Sequence, residues 1–205
     1  MKDKLLIIGA SGHGKVCADI ALKMKKWKSI AFLDDDKTIK TSLGLEVLGS
    51  IEDVHYFINE YDIFVGIGNN EIRKKIQDNL EKQGASIPIL VHPDAVLGVQ
   101  ISIGMGTVIM AGVVVNCNTK IGKGCIINTS STIDHDCTIE DYVHISPGVH
   151  LAGTVKIGKS SWVGIGASVV NNISIASASI IGAGAVVVKD ILEPGIYVGI
   201  PAKKK

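Results

Sequence analysis

Residues 121–151 read IGKGCIINTSSTIDHDCTIEDYVHISPGVHL, and within them an aliphatic residue recurs at every sixth position. The same spacing continues in both directions without an insertion, giving sixteen ladder residues: Leu97, Ile103, Ile109, Val115, Ile121, Ile127, Ile133, Ile139, Ile145, Leu151, Ile157, Val163, Val169, Ile175, Ile181 and Val187. Because helices repeat near every 3.6 residues and strands every 2, a period of six fits neither. Units of one short strand and one turn, three to a coil, would stack the ladder residues in a prism. Residues 92–205 are therefore predicted to form a parallel β-helix.

The preceding part of the chain, residues 1–91, alternates short apolar runs with segments of helical spacing. The runs LLIIG (5–9), SIAFL (29–33) and DIFVGIG (62–68) are predicted strands. Helices are predicted after the first and third runs, where apolar residues recur at helical spacing. Strands that alternate with helices favour a small parallel sheet, so we expect an α/β, Rossmann-like N-terminal domain.

Charge and composition argue against several classes of function. Lys and Arg number 21 against 20 for Asp and Glu, and no basic run precedes the terminal KKK, which argues against a nucleic-acid partner. Residues 95–119 and 160–188 carry no charged side chain, but Asn, Ser and Thr recur within them, so no membrane span is predicted. The four cysteines form no CxxC pair and MKDK does not resemble a signal peptide, which favours reduced thiols in the cytoplasm.

His135 stands out within the small and aliphatic tract, because Asp134 and Asp136 flank it. A carboxylate partner can fix the tautomer of an imidazole and raise its basicity, so His135 is predicted to be a general base. Since three six-residue units complete one coil, residues 18 apart should stack. Gly153 should therefore lie above His135 and leave room for a ligand, and Asn128 is expected near the same edge on an adjacent face.

Other candidate residues of this tract are weaker. Three histidines raise the question of zinc, but the spacings of nine and six residues do not bring His135, His144 and His150 to one corner, so no metal site is predicted. Cys125 and Cys137 occupy a small, inward position four residues after a ladder residue and are expected to be buried. No Ser or Cys nucleophile is expected beside the base.

The segment GASGHG at residues 9–14 follows a predicted strand and opens a predicted helix, where backbone N–H groups can hold a phosphate. Its glycines are spaced GxxGxG, whereas the dinucleotide fingerprint is GxGxxG. A plain tight turn and a phosphate site are both compatible with the segment alone. The acidic pair Asp34 and Asp35 after the second strand, with GIGNN after the third, favours a nucleotide ligand.

Together with the ladder, the motifs GASGHG, FLDDD, GIGNNEIRKKI, NTSSTIDHDC and GIPAKKK resemble the left-handed β-helix acyltransferases over nearly the whole chain. The resemblance is to the branch of bacterial UDP-4-amino-sugar acetyltransferases of the bacillosamine pathway and the related sialic-acid O-acetyltransferases. It implies a left-handed coil and a homotrimer with acetyl-CoA between neighbouring β-helices. It also implies a UDP-sugar held by the N-terminal domain.

The resemblance further implies roles for individual residues. His135 would be the general base, with Asp136 where the family often has Glu. Contacts to acetyl-CoA would come from Asn128, His144, Gly153 and Ile165. Contacts to the nucleotide-sugar would come from Ser11, Gly12, His13, Asp34, Asp35, Gly68 and Asn69.

The function expected is direct transfer of the acetyl group of acetyl-CoA to the 4-amino group of a UDP-linked amino deoxy sugar. One alternative keeps the fold and acetylates a hydroxyl of sialic acid. A second is a non-catalytic β-helix whose N-terminal domain senses a nucleotide-sugar, and a third is a zinc lyase on the same scaffold.

Overall fold

The computed structural model describes residues 2–205, which form two compact units that divide between Pro93 and Asp94. The division lies two residues after the boundary expected from the sequence. No helix within the described residues is long and apolar enough to cross a bilayer.

The N-terminal unit is a three-stranded parallel sheet with two principal helices. In chain order its elements are β1 (Lys4–Ile8), α1 (Gly12–Met24), β2 (Ser29–Leu33), β3 (Thr41–Ser42), β4 (Leu45–Glu46), a 3-10 helix (Ile51–Tyr56), β5 (Tyr61–Val65), α2 (Asn70–Lys82) and β6 (Leu90–Val91). The sheet order is β2-β1-β5, and Ile7 pairs with Phe32 on one side and Phe64 on the other. These strands are almost fully buried, as the continuous apolar runs predict for a covered parallel sheet.

The C-terminal unit is a left-handed parallel β-helix, which confirms the architecture expected from the period of six. Each ladder residue ends a strand of two residues: β7 (Val96–Leu97), β8 (Ser102–Ile103), β9 (Val108–Ile109), β10 (Val114–Val115), β11 (Lys120–Ile121), β12 (Ile126–Ile127), β13 (Thr132–Ile133), β14 (Thr138–Ile139), β15 (His144–Ile145), β16 (His150–Leu151), β17 (Lys156–Ile157), β18 (Trp162–Val163), β19 (Ser168–Val169), β20 (Ser174–Ile175), β21 (Ile180–Ile181) and β22 (Val186–Val187). The chain closes with β23 (Ile196–Val198) and β24 (Lys203–Lys204).

Every third strand pairs in parallel, so residues 18 apart lie side by side on one of three faces. Ile127, for example, pairs with Ile145, and Ile145 pairs with Val163. From Ile109 to Val187 every ladder residue is at most 3% exposed, so the ladder is the core of the β-helix.

A second inward position lies four residues after each ladder residue. Polar side chains there donate hydrogen bonds to a carbonyl 15 residues ahead: Thr119 Oγ1 to Asp134 and Cys137 Sγ to Ala152, for example. Cys125 and Cys137 are buried, as predicted, and burial raises the pKa of the Cys137 thiol.

The corners between strands share one backbone conformation. Among the described residues, the position three after the ladder residue has a positive φ at all fifteen corners from residue 100 to residue 184. Nine of these residues are not glycine: Gln100, Asn118, Ser130, Asp136, Tyr142, Thr154, Ser160, Asn172 and Ala178. The corner geometry is therefore imposed by coil closure rather than by glycine.

Candidate active site

The corner after β13 presents His135 and Asp136 to solvent. His135 Nδ1 donates to Asp136 Oδ2 over 2.7 Å, and about half of each side chain is exposed. Asp136 occupies the positive-φ position of this corner, at 59°. Because Nδ1 carries the donated proton, Nε2 of the neutral ring is left as the proton acceptor. This is the arrangement that general-base chemistry requires.

Carboxylates on both sides of His135 increase its basicity. The hydrogen bond to Asp136, followed by the negative charge of Asp134, raises the pKa of His135 above its ordinary value. The same bond, with a further one from Asn118, lowers the pKa of Asp136. A hydrogen bond from Asn116, and a second from the His135 backbone N–H, lower the pKa of Asp134.

One coil further along, Gly153 lies against the imidazole of His135. A Cβ at residue 153 would come within 2.7 Å of both Cε1 and Nε2 of the ring. The sequence predicts a space for a ligand here, but the structure fills that space with the ring, which packs onto the bare backbone. The missing side chain of Gly153 therefore allows the His135 ring to pack against the backbone of the following coil.

The coil before His135 contributes Cys117, which is exposed and holds the matching corner position. Its carbonyl accepts the backbone N–H of Asp136 over 3.2 Å. Stacking of the coils thus brings a cysteine 18 positions away in sequence to the corner next to that of His135. The absence of a Ser or Cys nucleophile beside His135 stays a prediction.

A second polar cluster occupies β15, β18 and the corner after β12. Asn128 Oδ1 accepts the backbone N–H of Thr129, so its Nδ2 is the group that faces His144 Nε2 at 3.3 Å. The His144 ring stacks on Trp162, with centroids 5.3 Å apart and planes inclined by 4°. Trp162 Nε1 in turn donates to Ser146 Oγ over 2.7 Å. The cluster fixes the orientation of both Asn128 and His144.

Asn128 and His135 lie at different corners of the β-helix. Asn128 follows β12 and His135 follows β13, so the six residues between them include a turn and a complete strand. Both residues are predicted near one edge of the β-helix, and the structure corrects that prediction. Within one protomer the base and the Asn128 cluster do not form one site.

Two residues expected to offer backbone groups to acetyl-CoA already use their carbonyls. Gly153 O accepts the N–H of Asn172 over 3.0 Å, and Ile165 O accepts the N–H of Gly184 over 2.8 Å. Their N–H groups are therefore favoured over their carbonyls as contacts to a ligand. The Ile165 side chain is 63% exposed, which leaves it available for apolar contact.

In the N-terminal unit, the loop after β1 carries Ser11, Gly12 and His13 into the first turn of α1. Ser11 is exposed and makes no side-chain cap to α1, and a Cβ at Gly12 would meet nothing within 4 Å. This end of the helix is thus open to an anion.

The unusual glycine spacing of this loop has a packing reason. A Cβ at Gly14 would lie 1.8 Å from Gly9 O, and a Cβ at Gly66 would lie 2.9 Å from Gly14 Cα. Gly9 itself has a positive φ of 97°. The first turn of α1 therefore packs directly on the loops that follow β1 and β5.

His13 lies beside two buried groups behind this loop. Burial, followed by the charge of Arg73, lowers the pKa of His13 to about 4. Cys17 Sγ lies 3.6 Å from His13 Nε2, and burial raises the pKa of Cys17 to about 12. His13 is therefore a neutral hydrogen-bonding group at physiological pH.

The two aspartates after β2, Asp34 and Asp35, have different hydrogen-bond partners. Asp34 accepts the N–H of Ala10 through Oδ2 and the N–H of Asp36 through Oδ1, so it ties the loop after β1 to the loop after β2. Asp35 is exposed and accepts only the N–H of Ile51. Asp35 is thus the better placed of the two for a ligand.

Gly68 and Asn69 lie in the loop just before α2, and Asn69 is the N-cap of this helix. Asn69 Oδ1 accepts the N–H groups of Glu71 and Ile72, both over 3.0 Å, and so caps the helix. Arg73 is buried and donates to the carbonyls of Ile67 and Gly68, which holds this loop from behind. The exposed Asn69 retains its amide Nδ2 for a ligand.

A groove of about 1040 Å³ lies in the N-terminal unit between the 3-10 helix and α2. Asp35, Ile51 and Ile72 line it near the carboxyl ends of the strands, as expected for a ligand site of an open α/β sheet. Of the predicted nucleotide contacts, only Asp35 lines this groove.

Family comparisons agree with this geometry. Residues 4–80 match the PglD N-terminal domain, and residues 118–153 match the bacterial transferase hexapeptide repeat. The chain is 30% identical over 170 residues to GDP-perosamine N-acetyltransferase of Escherichia coli O157:H7, covering 80% of this chain and 76% of that protein. The chain belongs to the hexapeptide-repeat sugar N-acetyltransferases.

Two further relatives support the bacillosamine-type branch of this family. UDP-N-acetylbacillosamine N-acetyltransferase of Bacillus subtilis (strain 168) is 35% identical to this chain over 110 residues. The match covers 51% of this chain and 50% of the relative. The acetyltransferase domain of PglB from Neisseria gonorrhoeae FA1090, solved with acetyl coenzyme A, superposes with a TM-score of 0.97 at 40% identity and full coverage of both chains. The resemblance drawn from the sequence motifs is thereby confirmed.

Sequence reasoning missed three residues of the candidate site in this N-acetyltransferase. Asn116 and Asn118 contact the two aspartates that flank the base, and Trp162 stacks on His144. Each lies 18 residues from its partner, so the stacking rule could have found them. No group of three or more His, Cys, Asp or Glu within residues 2–205 is arranged to hold a metal ion.

Proposed function

We propose that this enzyme transfers the acetyl group of acetyl-CoA to the 4-amino group of a UDP-linked amino deoxy sugar of the bacillosamine type, with His135 as general base. The observation that carries the proposal is the 2.7 Å bond from His135 Nδ1 to Asp136, on an exposed corner. Asp136 can orient the ring although it is one methylene shorter than Glu, because its positive φ brings the carboxylate to Nδ1.

In the proposed reaction, the neutral amine attacks the carbonyl carbon of the thioester and a C–N bond forms. His135 Nε2 takes a proton from the nitrogen, since an ammonium group has no lone pair for attack. The tetrahedral intermediate collapses with cleavage of the C–S bond, and the imidazolium returns the proton to the CoA sulfur. The products are the N-acetylated sugar and CoA with a free thiol.

The oxyanion of the tetrahedral intermediate needs hydrogen-bond donors. Two candidates are the Gly153 N–H beside His135 and Asn128 Nδ2, whose orientation is fixed by Thr129 and His144. Loss of one such donor typically lowers kcat by about 10²–10³-fold.

The separation of the two corners supports a homotrimer with active sites between protomers. His135 and the Asn128–His144 cluster lie at different corners of one β-helix, so a neighbouring copy would supply the second corner to each site. Exposed apolar side chains on the same unit are consistent with such contacts: Val96, Val99, Met105, Trp162, Ile165 and Ile180.

For the nucleotide-sugar, the open first turn of α1 is suited to the diphosphate, with Ser11, Gly12 and His13 as contacts. Asp35 and the loop of Gly68 and Asn69 would meet the nucleoside. The relatives are named for UDP-linked and GDP-linked amino sugars, and the bacillosamine-type motifs favour UDP here.

The substrate test offers the purified enzyme acetyl-CoA with a UDP-4-amino sugar, GDP-perosamine or CMP-sialic acid, and measures release of free thiol. We expect thiol release with the UDP-4-amino sugar and the highest kcat/KM for it. Turnover with GDP-perosamine alone would move the assignment to the GDP-sugars, turnover with CMP-sialic acid would indicate O-acetylation, and no turnover with any acceptor would favour a sensor.

The test of the base is His135→Gln, which should lower kcat by about 10²–10⁴-fold without changing the unfolding transition. A variant with unchanged kcat would remove His135 from the mechanism. Cys117→Ser controls for an acetyl-enzyme on the neighbouring thiol. We expect this variant to keep its kcat, and mass spectrometry of the enzyme with acetyl-CoA alone to detect no acetylated Cys117.

A further inference from the structure

We propose that Asn118 is a positioning residue that holds the carboxylate of Asp136 in the orientation that His135 requires. The proposal rests on the role of His135 as general base given above. It adds a third member, from the preceding coil, to the His135–Asp136 pair.

The two side chains meet because their residues hold the same corner position one coil apart. Asn118 and Asp136 are 18 residues apart and have nearly identical φ angles of 58° and 59°. The bond from the Asp136 N–H to Cys117 O joins the two corners. With parallel backbones, Asn118 Nδ2 donates directly to Asp136 Oδ1.

The two oxygens of Asp136 are thereby assigned to different partners. Oδ1 accepts from Asn118, and Oδ2 accepts from His135 Nδ1 at 2.7 Å. The terminal torsion of an aspartate is broad, and this side chain is about half exposed, so without Asn118 only the bond from His135 would restrain rotation of the carboxylate. Fixing Oδ1 leaves Oδ2 aimed at the imidazole.

The donor at position 118 is a neutral amide, and this has an electrostatic consequence. An amide orients the carboxylate without neutralising it, so the negative charge stays available to the imidazole. A Lys or Arg at this position would compete with His135 for the same carboxylate.

The chain supplies a matched control two residues earlier. Asn116 Nδ2 donates to Asp134 Oδ1 over 2.7 Å, which is the same amide–carboxylate pairing across the same two coils. Asp134 Oδ1 also accepts the backbone N–H of His135, and Asp134 has no hydrogen bond to the ring. Loss of the pair alone should therefore cost both variants a similar amount, apart from the positive φ that glycine relieves at residue 118 only.

The experiment compares Asn118→Gly with Asn116→Gly in the full chain. Glycine is suited to the positive φ at residue 118, so Asn118→Gly removes the amide while relieving the backbone. We expect kcat of Asn118→Gly to fall by about tenfold, with the KM for acetyl-CoA unchanged. We expect Asn116→Gly to lower kcat less than Asn118→Gly does, because Asp134 keeps its bond from the His135 N–H and makes none to the ring.

The pH profile separates positioning from structure. Asp134 and Asp136 are the charged groups that act on His135 from its own corner. On the following coil the uncharged Gly153 packs on the ring and the Thr154 N–H donates to the His135 carbonyl, and Cys117 holds the matching position on the preceding coil. Loosening the carboxylate should return the pKa of His135 towards its ordinary value and move the acid limb of kcat to lower pH in Asn118→Gly.

A double variant completes the test. In an Asp136→Asn background, Asn118→Gly should cause no further loss of kcat, because the group it positions is already gone. The inference would be overturned if Asn118→Gly had the same kcat and the same pH profile as the unmodified enzyme. If His135→Gln is inactive while Asn118→Gly is unaffected, only this inference fails, whereas full activity of His135→Gln removes the proposed base itself.

Discussion

His135 and its acid partner come from one corner of the β-helix, while the groups that hold them come from the coils on either side. Asn118 fixes Asp136 from the preceding coil, and Gly153 receives the ring from the following one. The imidazole is therefore oriented in an exposed position, where isolated side chains are usually mobile. This orientation can be tested by changing the residues that hold the two side chains.

Gly153→Ala should lower kcat without unfolding the protein. The φ of Gly153 lies outside the positive region, so alanine fits the backbone, but its Cβ would come within 2.7 Å of the His135 ring and push it aside. We expect a loss of kcat of about 10-fold or more. In a His135→Gln background Gly153→Ala should have little further effect, and an equal loss in both backgrounds would show that it acts elsewhere.

The pH dependence of kcat should reflect the carboxylates beside His135. A protonated ring cannot accept a proton, so kcat should fall as pH falls through the pKa of His135, which lies above the ordinary 6.5. Asp136→Asn should move this acid limb to lower pH and lower the plateau, because the ring loses both its charge partner and its orientation. Asp134→Asn should shift the limb less, and an unmoved limb in both variants would contradict the assignment.

At this scale the sequence singled out His135 as the proposed base but did not identify the residues that support it. The charged neighbours of His135 are visible in the letters DHDC. The direction of the Asp136 side chain depends on a positive φ, which cannot be predicted from the presence of an aspartate. The position of Cys117 on the neighbouring corner likewise follows only from the stacking of the coils.

Among the elements of the β-helix, glycine at the position after a ladder residue reflects close packing between coils. A Cβ at Gly158 would lie 2.4 Å from the backbone nitrogen of Ser177, so a side chain there must displace the next coil. At Ala176, one coil later in the same column, a Cβ is present. This position therefore requires glycine in some coils and accepts a larger side chain in others.

Gly158→Ala is expected to destabilise the protein by about 1–3 kcal/mol, the usual cost of overpacking. Equilibrium unfolding in urea would measure this as a lower midpoint. Ala176→Gly serves as the control and should cost only about 0.5–1 kcal/mol, from added backbone freedom. Equal losses in the two variants would mean that contact with Ser177 does not decide the effect.

The ladder made the β-helix predictable, because a period of six is incompatible with the other regular structures. Strand length, face and pairing all follow from it, and each strand ends on the ladder residue as expected. The corners were less predictable, since nine of fifteen positive-φ positions hold residues other than glycine. There, closure of the coil overrides local preference.

For the whole molecule, the proposed trimer gives a direct expectation. Light scattering coupled to gel filtration should give three times the chain mass of 21.6 kDa. Exposed apolar residues such as Trp162 and Ile165 would be covered by neighbouring copies. A monomeric mass with full activity would contradict a site shared between protomers.

A shared site also predicts complementation between inactive variants. His135→Gln and Asn128→Ala damage different corners, so trimers assembled from both chains should contain seams in which both corners are intact. Random mixing would restore roughly a quarter of the seams. We expect thiol release from the co-expressed chains above that of either variant alone, and no recovery would mean that one protomer supplies both groups.

The repeated positive φ of the corners also offers a route to engineering heat resistance. A left-handed backbone costs an ordinary residue about 1–2 kcal/mol, and glycine avoids that steric cost. Ala178→Gly is the natural candidate, whereas Tyr142→Gly would remove a buried ring and destabilise the protein. At Asp136 and Asn118 the same substitution would remove groups proposed to serve the reaction. At some corners, therefore, thermal stability can be raised without loss of catalytic rate. At the corners of Asn118 and Asp136 a gain in stability would lower the rate.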